Sequence, residues 1–226
     1  MRLVLLPGLN GSSTLFGPLL AQLHPALEVQ ALELPTQGNQ AHKDLADLLL
    51  SKLGDTPYVL LGESFSGPLA YQLALRRPPG LRGVIFAASF LSRPHPLLPL
   101  AKHLPLPHWL LGQNTLLRLF CLNGQANAEV TQTLREEIKK LPQRLLRARL
   151  HSLDQLQNPG LSLELPALHL QANQDRLVTR KAQMSLQSCC TQLTQIRLNG
   201  PHFLLQTQPQ ACANAIQRFI AGLPLA

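Results

Sequence analysis

The sequence predicts an α/β fold: a mostly parallel, open sheet flanked by helices, with a helical cap inserted into it. Three observations carry that expectation. Six short apolar runs alternate with segments of helical periodicity. Gly, Pro or Asn bound these runs, as expected of parallel strands buried on both faces. The alternation lapses once, between Ser92 and about His151, where Pro94, Pro96, Pro99, Pro105 and Pro107 lead into helical patterns with no strand. The expected organisation is therefore core over residues 1–91, cap over 92–151 and core again over 152–226. A chain of 226 residues, 45% apolar and 14% charged, suits one domain with a modest insertion and excludes global disorder.

Each element follows from its own residues. Leu3–Leu6 is the first strand; its apolar run is too short, and lacks the small-residue cleavage site, for a signal peptide. Leu27–Leu34 is the second. In Asp44–Leu53 the residues Leu45, Leu48, Leu49 and Leu53 share one face of a helix, and Gly54 supplies a stop. Tyr58–Leu61 is the third strand. The helix over Phe65–Arg77 gathers Leu69, Leu73 and Ala74, tolerates Pro68 near its start, and ends at Pro78-Pro79-Gly80. Arg76 and Arg77 sit where its dipole favours cations. Leu81–Ala88 is the fourth strand. Cap helices are expected around Leu110–Cys121, Glu129–Lys140 and Gln143–Leu153. Ala167–Ala172 and Gln195–Leu198 complete the sheet, and a last helix over about 209–221 packs Cys212, Ala215, Ile216 and Phe219 inward.

The chemistry is sought in Gly62-Glu63-Ser64-Phe65-Ser66-Gly67, where an apolar strand runs into a serine among small residues. This is the setting of a nucleophile elbow, Gly-x-Ser-x-Gly, in which strand and helix approach closely around a strained serine. A serine hydroxyl needs a base to take its proton, and the base needs a third group to orient it. His202, in Asn199-Gly200-Pro201-His202-Phe203, follows the last strand in a turn-rich loop. Asp175, in Asn173-Gln174-Asp175-Arg176, follows the strand before it; Asp154 is a less well placed rival at the end of the cap. Ser64, Asp175 and His202 thus occur in that order, each after its own strand. His24, His42, His95, His103, His108 and His151 lie in helices, caps or connections and His169 lies inside a strand, positions ordinary for surface or core histidines. An oxyanion hole requires backbone N–H groups aimed at the developing alkoxide. Phe65 N–H supplies one, and Leu9 N–H, in the loop Pro7-Gly8-Leu9-Asn10-Gly11, supplies the other. That loop lacks the Lys of a phosphate-binding loop.

These residues resemble the α/β-hydrolase fold over nearly the whole chain outside the cap. More narrowly, Pro-Gly-Leu-Asn-Gly, Gly-Glu-Ser-Phe-Ser-Gly, Asp175 and Gly-Pro-His-Phe look like carboxylesterases related to pimeloyl-[acyl-carrier protein] methyl ester esterase. The resemblance implies Ser64 as nucleophile, His202 as base, Asp175 as its orienter, and Leu9 and Phe65 as oxyanion donors. There are three departures: Pro7 replaces the usual histidine before Gly8, Ser66 replaces the last elbow glycine, and the first strand corresponds to the one usually counted third.

The formal charge is +8, and residues 93–150 hold nine Lys/Arg against three acids, so most of the excess lies in the cap. The resemblance implies that Arg135, Lys139, Lys140, Arg144, Arg147 and Arg149 form a docking face for an acidic acyl carrier protein, steered by complementary charge. The alternative is a solvated helical face. Apolar cap residues, Trp109 among them, border an acyl pocket with Leu9 and Phe65. With Trp109 the only Trp, nucleic-acid stacking is disfavoured.

No apolar run reaches the roughly 18 residues of a membrane span. Cys121, Cys189, Cys190 and Cys212 show no metal-like spacing and read as reduced thiols of a cytoplasmic protein. The expected function is hydrolysis of a carboxylic ester, free or carrier-bound, through an acyl-enzyme on Ser64, with no metal or cofactor. A thioesterase would use the same residues. A lyase or C–C bond enzyme on this fold, or a binding protein without catalysis, remains open at this point.

Overall fold

The computed structural model describes residues 1–101, 122, 124 and 128–224. Six strands form one parallel sheet: β1 (Arg2–Leu6), β2 (Val29–Ala31), β3 (Tyr58–Glu63), β4 (Leu81–Ala87), β5 (Leu163–Ala172) and β6 (Cys190–Leu198), in the order β2-β1-β3-β4-β5-β6. The sheet is open, with β2 and β6 at its edges. Helices fill the connections: α1 (Gly17–Leu20), α2 (His42–Leu50), α3 (Ser66–Leu75), α4 (Leu98–Ala101), α5 (Ala128–Lys140), α6 (Gln143–Asp154), α7 (Arg180–Gln183), α8 (Leu204–Thr207) and α9 (Pro209–Ala221).

The two-residue repeat of a strand divides each apolar run between two helical layers. Val4, Leu6, Leu60, Val84 and Phe86 meet Leu45, Leu49, Leu69 and Leu73 of α2 and α3 on one face. Their neighbours Leu3, Leu5, Val59, Leu61, Ile85 and Leu168 meet Leu19, Leu204, Cys212 and Ile216 of α1, α8 and α9 on the other. Central strands therefore read as continuous apolar runs, because both of their faces are covered.

The edges differ from the sequence expectation for the same reason. The run Leu27–Leu34 pairs as a strand only over Val29–Ala31, since β2 has a neighbour on one side alone. The sixth strand begins at Cys190, well before Gln195; its exposed positions Thr191, Gln192 and Thr194 carry polar side chains, which hides the strand from a search for apolar runs. In α2, Leu45 and Leu49 are fully buried whereas Leu48 is 51% exposed; the helix turns it to the rim of the apolar stripe. Between β4 and β5 the described residues hold only helices, with α5 and α6 close to the expected bounds. The expected helix over Leu110–Cys121 and the residue Trp109 lie outside the described residues.

Candidate active site

All strands run parallel, so the loops that leave their C-terminal ends gather at one edge of the sheet. Ser64 leaves β3 there, Leu9 leaves β1, Asp175 leaves β5 and His202 leaves β6. The loops of the last two are tied together: Asn173 N–H donates to Leu198 O (3.1 Å) and Gln174 N–H to Gly200 O (3.1 Å).

Ser64 adopts φ 47°, a left-handed conformation that a non-glycine residue holds at a cost of about 1–3 kcal/mol. Close packing enforces it. A Cβ on Gly62 would lie 2.3 Å from Ser66 O, and one on Gly67 would lie 1.7 Å from Ser89 Oγ. Ser89 Oγ–H in turn donates to Ser64 O (2.7 Å), and Ser64 N–H donates to Ala87 O (2.9 Å). Ser66, where the last elbow glycine was expected, uses its hydroxyl to bond the Pro7 carbonyl. It thereby staples the start of α3 to the loop after β1.

Ser64 Oγ lies 2.8 Å from His202 Nε2, and His202 Nδ1 lies 2.8 Å from Asp175 Oδ2. The second Asp175 oxygen accepts from Leu177 N–H and Val178 N–H, both at 2.9 Å, so the carboxylate has one orientation. The side chains of His202 and Asp175 are 7% and 1% exposed. Burial by itself pushes the His202 pKa down. The charge and hydrogen bond of Asp175, with the charge of Glu63, outweigh it and raise the pKa above the ordinary 6.5. In this order of groups, Asp175 favours the tautomer with the proton on Nδ1, leaving Nε2 as acceptor for the Ser64 hydroxyl.

Gly8 lies against the elbow: a Cβ there would stand 3.9 Å from Ser64 Cβ and 3.8 Å from Glu63 Oε2. Phe65 is the N-cap residue of α3, where the first N–H groups of the helix lack intrahelical partners.

Several neighbours of this site were not singled out in the sequence. Glu63 is buried, and burial raises its pKa; Gln206 on α8 donates to its Oε1 at 2.9 Å and the Gly8 backbone bonds it. His42, read as an ordinary histidine, stacks on Phe65 with ring centroids 4.6 Å apart and donates from Nε2 to Phe65 O at 3.1 Å. Burial lowers its pKa to about 4, which keeps it neutral at physiological pH.

Arg149 is a correction. It was expected on an exposed docking face, and it is 0% exposed. On α6 it follows Leu145 by four residues and precedes Leu153 by four, so it occupies the buried stripe, while Arg144 and Arg147 face solvent. Lys139 and Lys140 are exposed, Lys140 pairing with Glu137 at 2.9 Å, and Arg135 is half-buried. Asp154 pairs with Arg93 at 3.1 Å, and the carboxylate that meets His202 Nδ1 is that of Asp175. A surface cleft of about 540 Å³, lined by Arg77, Pro79 and Leu163 among others, lies at the opposite edge of the sheet, where β4 and β5 begin.

Fold and sequence together define the class. Residues 3–215 match the model of the alpha/beta hydrolase family, and the chain belongs to that family. Among curated proteins it is similar to the biotin biosynthesis bifunctional protein BioHC of Cellvibrio japonicus. The two are 29% identical over 242 aligned positions, covering 99% of this chain and 48% of that protein; the chain thus spans about half the length of its relative. Among solved structures it superposes on a thermophilic esterase from Thermogutta terrifontis with TM-score 0.80 at 16% identity, covering 98% of this chain and 89% of that one. The type II thioesterase BorB from the borrelidin biosynthetic cluster superposes with TM-score 0.73 at 22% identity, covering 97% and 92%. Identities at this level attest the shared fold.

Among the described residues no cluster of His, Cys, Asp or Glu is arranged to hold a metal ion, and Cys189, Cys190 and Cys212 are buried free thiols. No helix among them is long and apolar enough to cross a membrane.

Proposed function

We propose that the chain is a serine hydrolase of carboxylic esters that works through an acyl-enzyme. The observation that carries this reading is the chain of two 2.8 Å contacts, Ser64 Oγ to His202 Nε2 and His202 Nδ1 to Asp175 Oδ2. Ser64 Oγ attacks the ester carbonyl carbon while its proton passes to His202 Nε2. The carbonyl oxygen becomes an oxyanion held by the N–H groups of Leu9 and Phe65. Collapse expels the alkoxide, which takes the proton back from His202 and leaves as alcohol. Water then gives a proton to His202 and attacks the acyl carbon; collapse of this second adduct expels Ser64 Oγ, which takes the proton back from His202 as the product acid departs. Asp175 keeps its proton balance throughout and stabilises the imidazolium.

Residues 92–151 act as a cap over this site in the proposal, and Trp109, Leu9 and Phe65 border the acyl pocket. The resemblance to pimeloyl-[acyl-carrier protein] methyl ester esterases supports an acyl ester, free or carrier-bound, as substrate class. Arg135, Lys139, Lys140, Arg144 and Arg147 make the carrier-facing surface. Arg149 is withdrawn from it.

The test is hydrolysis of p-nitrophenyl esters from acetate to laurate by the wild type and by Ser64→Ala. Removal of the nucleophile is expected to lower kcat by about 10⁴-fold or more, and to abolish both the burst and labelling by a fluorophosphonate. Equal turnover by both proteins would sink the reading. A parallel series of acyl thioesters reports whether ester or thioester is preferred.

A further inference from the structure

Two helices from the segment between β4 and β5 grip the loop that follows β1. From α6, the Arg149 guanidinium enters the loop and donates to three neutral acceptors: Leu9 O at 2.8 Å, Pro35 O at 3.1 Å and Gln40 Oε1 at 3.1 Å. Its Cζ stands 5.8 Å from the Phe65 ring centroid. From α5, the buried carboxylate of Glu137 hydrogen-bonds Ser12 and Asn10 of the same loop. Gly11 makes room for the first of these contacts, with φ +75° and a Cβ position only 2.4 Å from Arg149 Nη1.

A fully buried cation without a carboxylate among its acceptors is a costly feature, and packing alone gives no reason for it. Burial lowers its pKa only to about 10, so it stays charged at neutral pH. Its contacts give the reason: Arg149 touches both Leu9 and Phe65, the two residues whose N–H groups receive the oxyanion.

We infer that Arg149 is a positioning residue for the oxyanion hole: it fixes the Leu9 carbonyl, and with it the turn of the loop that aims Leu9 N–H, while Glu137 holds the far side of that loop. The fork geometry matters as well as the charge, because Leu9 O, Pro35 O and Gln40 Oε1 are reached by different guanidinium nitrogens. The seating of α5 and α6 thereby becomes a condition for transition-state stabilisation. This inference rests on the proposed serine-hydrolase reading.

The experiment compares wild type, Arg149→Met, Arg149→Lys and Glu137→Gln with a p-nitrophenyl ester. It follows kcat, KM, inhibition by an alkyl boronic acid that mimics the tetrahedral adduct, and Tm. Arg149→Met is expected to lower kcat by about 10–100-fold with KM changed by less than about 3-fold. Boronate affinity should fall by the same factor as kcat/KM, a correlation that a purely structural role would not produce. Arg149→Lys, which keeps the charge and loses the fork, should recover only part of the loss, and Glu137→Gln should show the same pattern more weakly. If Arg149→Met does not fold, the lysine variant decides by the same boronate readout. A folded Arg149 variant with wild-type kcat and boronate affinity overturns the inference, as does a loss confined to Tm. A wild type that neither turns over esters nor labels with a fluorophosphonate fails the underlying reading, and the inference falls with it.

Discussion

At the scale of single residues, the site is a problem in aiming lone pairs. His202 Nε2 accepts from Ser64 only while it is unprotonated, and Asp175 decides both its tautomer and its pKa. Since that pKa lies above the ordinary 6.5, ester turnover should fall as pH drops through a value above 6.5. Asp175→Asn removes the main cause of the rise. A pH profile of kcat/KM should then show the acid limb moved to lower pH, with kcat down by about 10³–10⁴-fold. An unmoved limb would mean that Asp175 does not control the base. Ser64, Asp175 and His202 stood out as candidates in the sequence because each follows its own strand, a placement that the seven other histidines and Asp154 lack. His42, Glu63 and Ser66 were not, because a buried histidine, glutamate or serine acquires meaning only from what packs against it. For Ser66 the sequence showed a small residue where glycine was expected. The hydroxyl's bond to Pro7 O spans residues distant in sequence.

At the scale of elements, periodicity located the helices and misjudged which residues lie at their rims. In α2 the residues Leu45 and Leu49 are buried and Leu48 is not. Leu45→Ala should cost about 2–5 kcal/mol in urea unfolding, through lost transfer energy and a residual cavity. Leu48→Ala should stay within about 0.5 kcal/mol. Equal costs would mean that the helix presents a different face. The α6 helix teaches the same lesson with charge. Six basic residues in the 135–149 stretch read as one face, yet Arg149 shares the spacing of Leu145, Leu146 and Leu153, all of them buried. That i, i+3, i+4 relation was present in the sequence and was outweighed by the ordinary preference of arginine for solvent.

At the scale of the whole molecule, buried titratable groups couple the fold to pH. Burial holds His42 and His169 at about 4, and neither ring nitrogen of His169 has a hydrogen-bond partner. In the unfolded chain both titrate near 6.5. Between those values the unfolded state binds protons that the folded state refuses, so stability is full above 6.5 and is lost as pH falls toward 4. Each group contributes about 2–3 kcal/mol to that loss. His202 has the opposite sign: its raised pKa adds stability that is full below 6.5 and fades as pH rises through the folded value. Urea midpoints measured from pH 7 to pH 4 should therefore decline, and His169→Leu should flatten the decline. A midpoint as steep in His169→Leu as in the wild type would remove His169 from the account.

Local signals in the sequence were enough for the α/β class and the central strands, and they singled out Ser64, Asp175 and His202, in that order, as candidates. Those features rest on local signals: apolar runs, turn residues and the small residues of a tight elbow. Tertiary structure alone decided where the edge strands stop, that Ser64, His202 and Asp175 stand within hydrogen-bonding distance, and that Arg149 points inward onto Leu9. The physical reason is that parallel strands bring distant loops to one edge of the sheet. Burial, partner and charge there depend on contacts between residues separated by most of the chain.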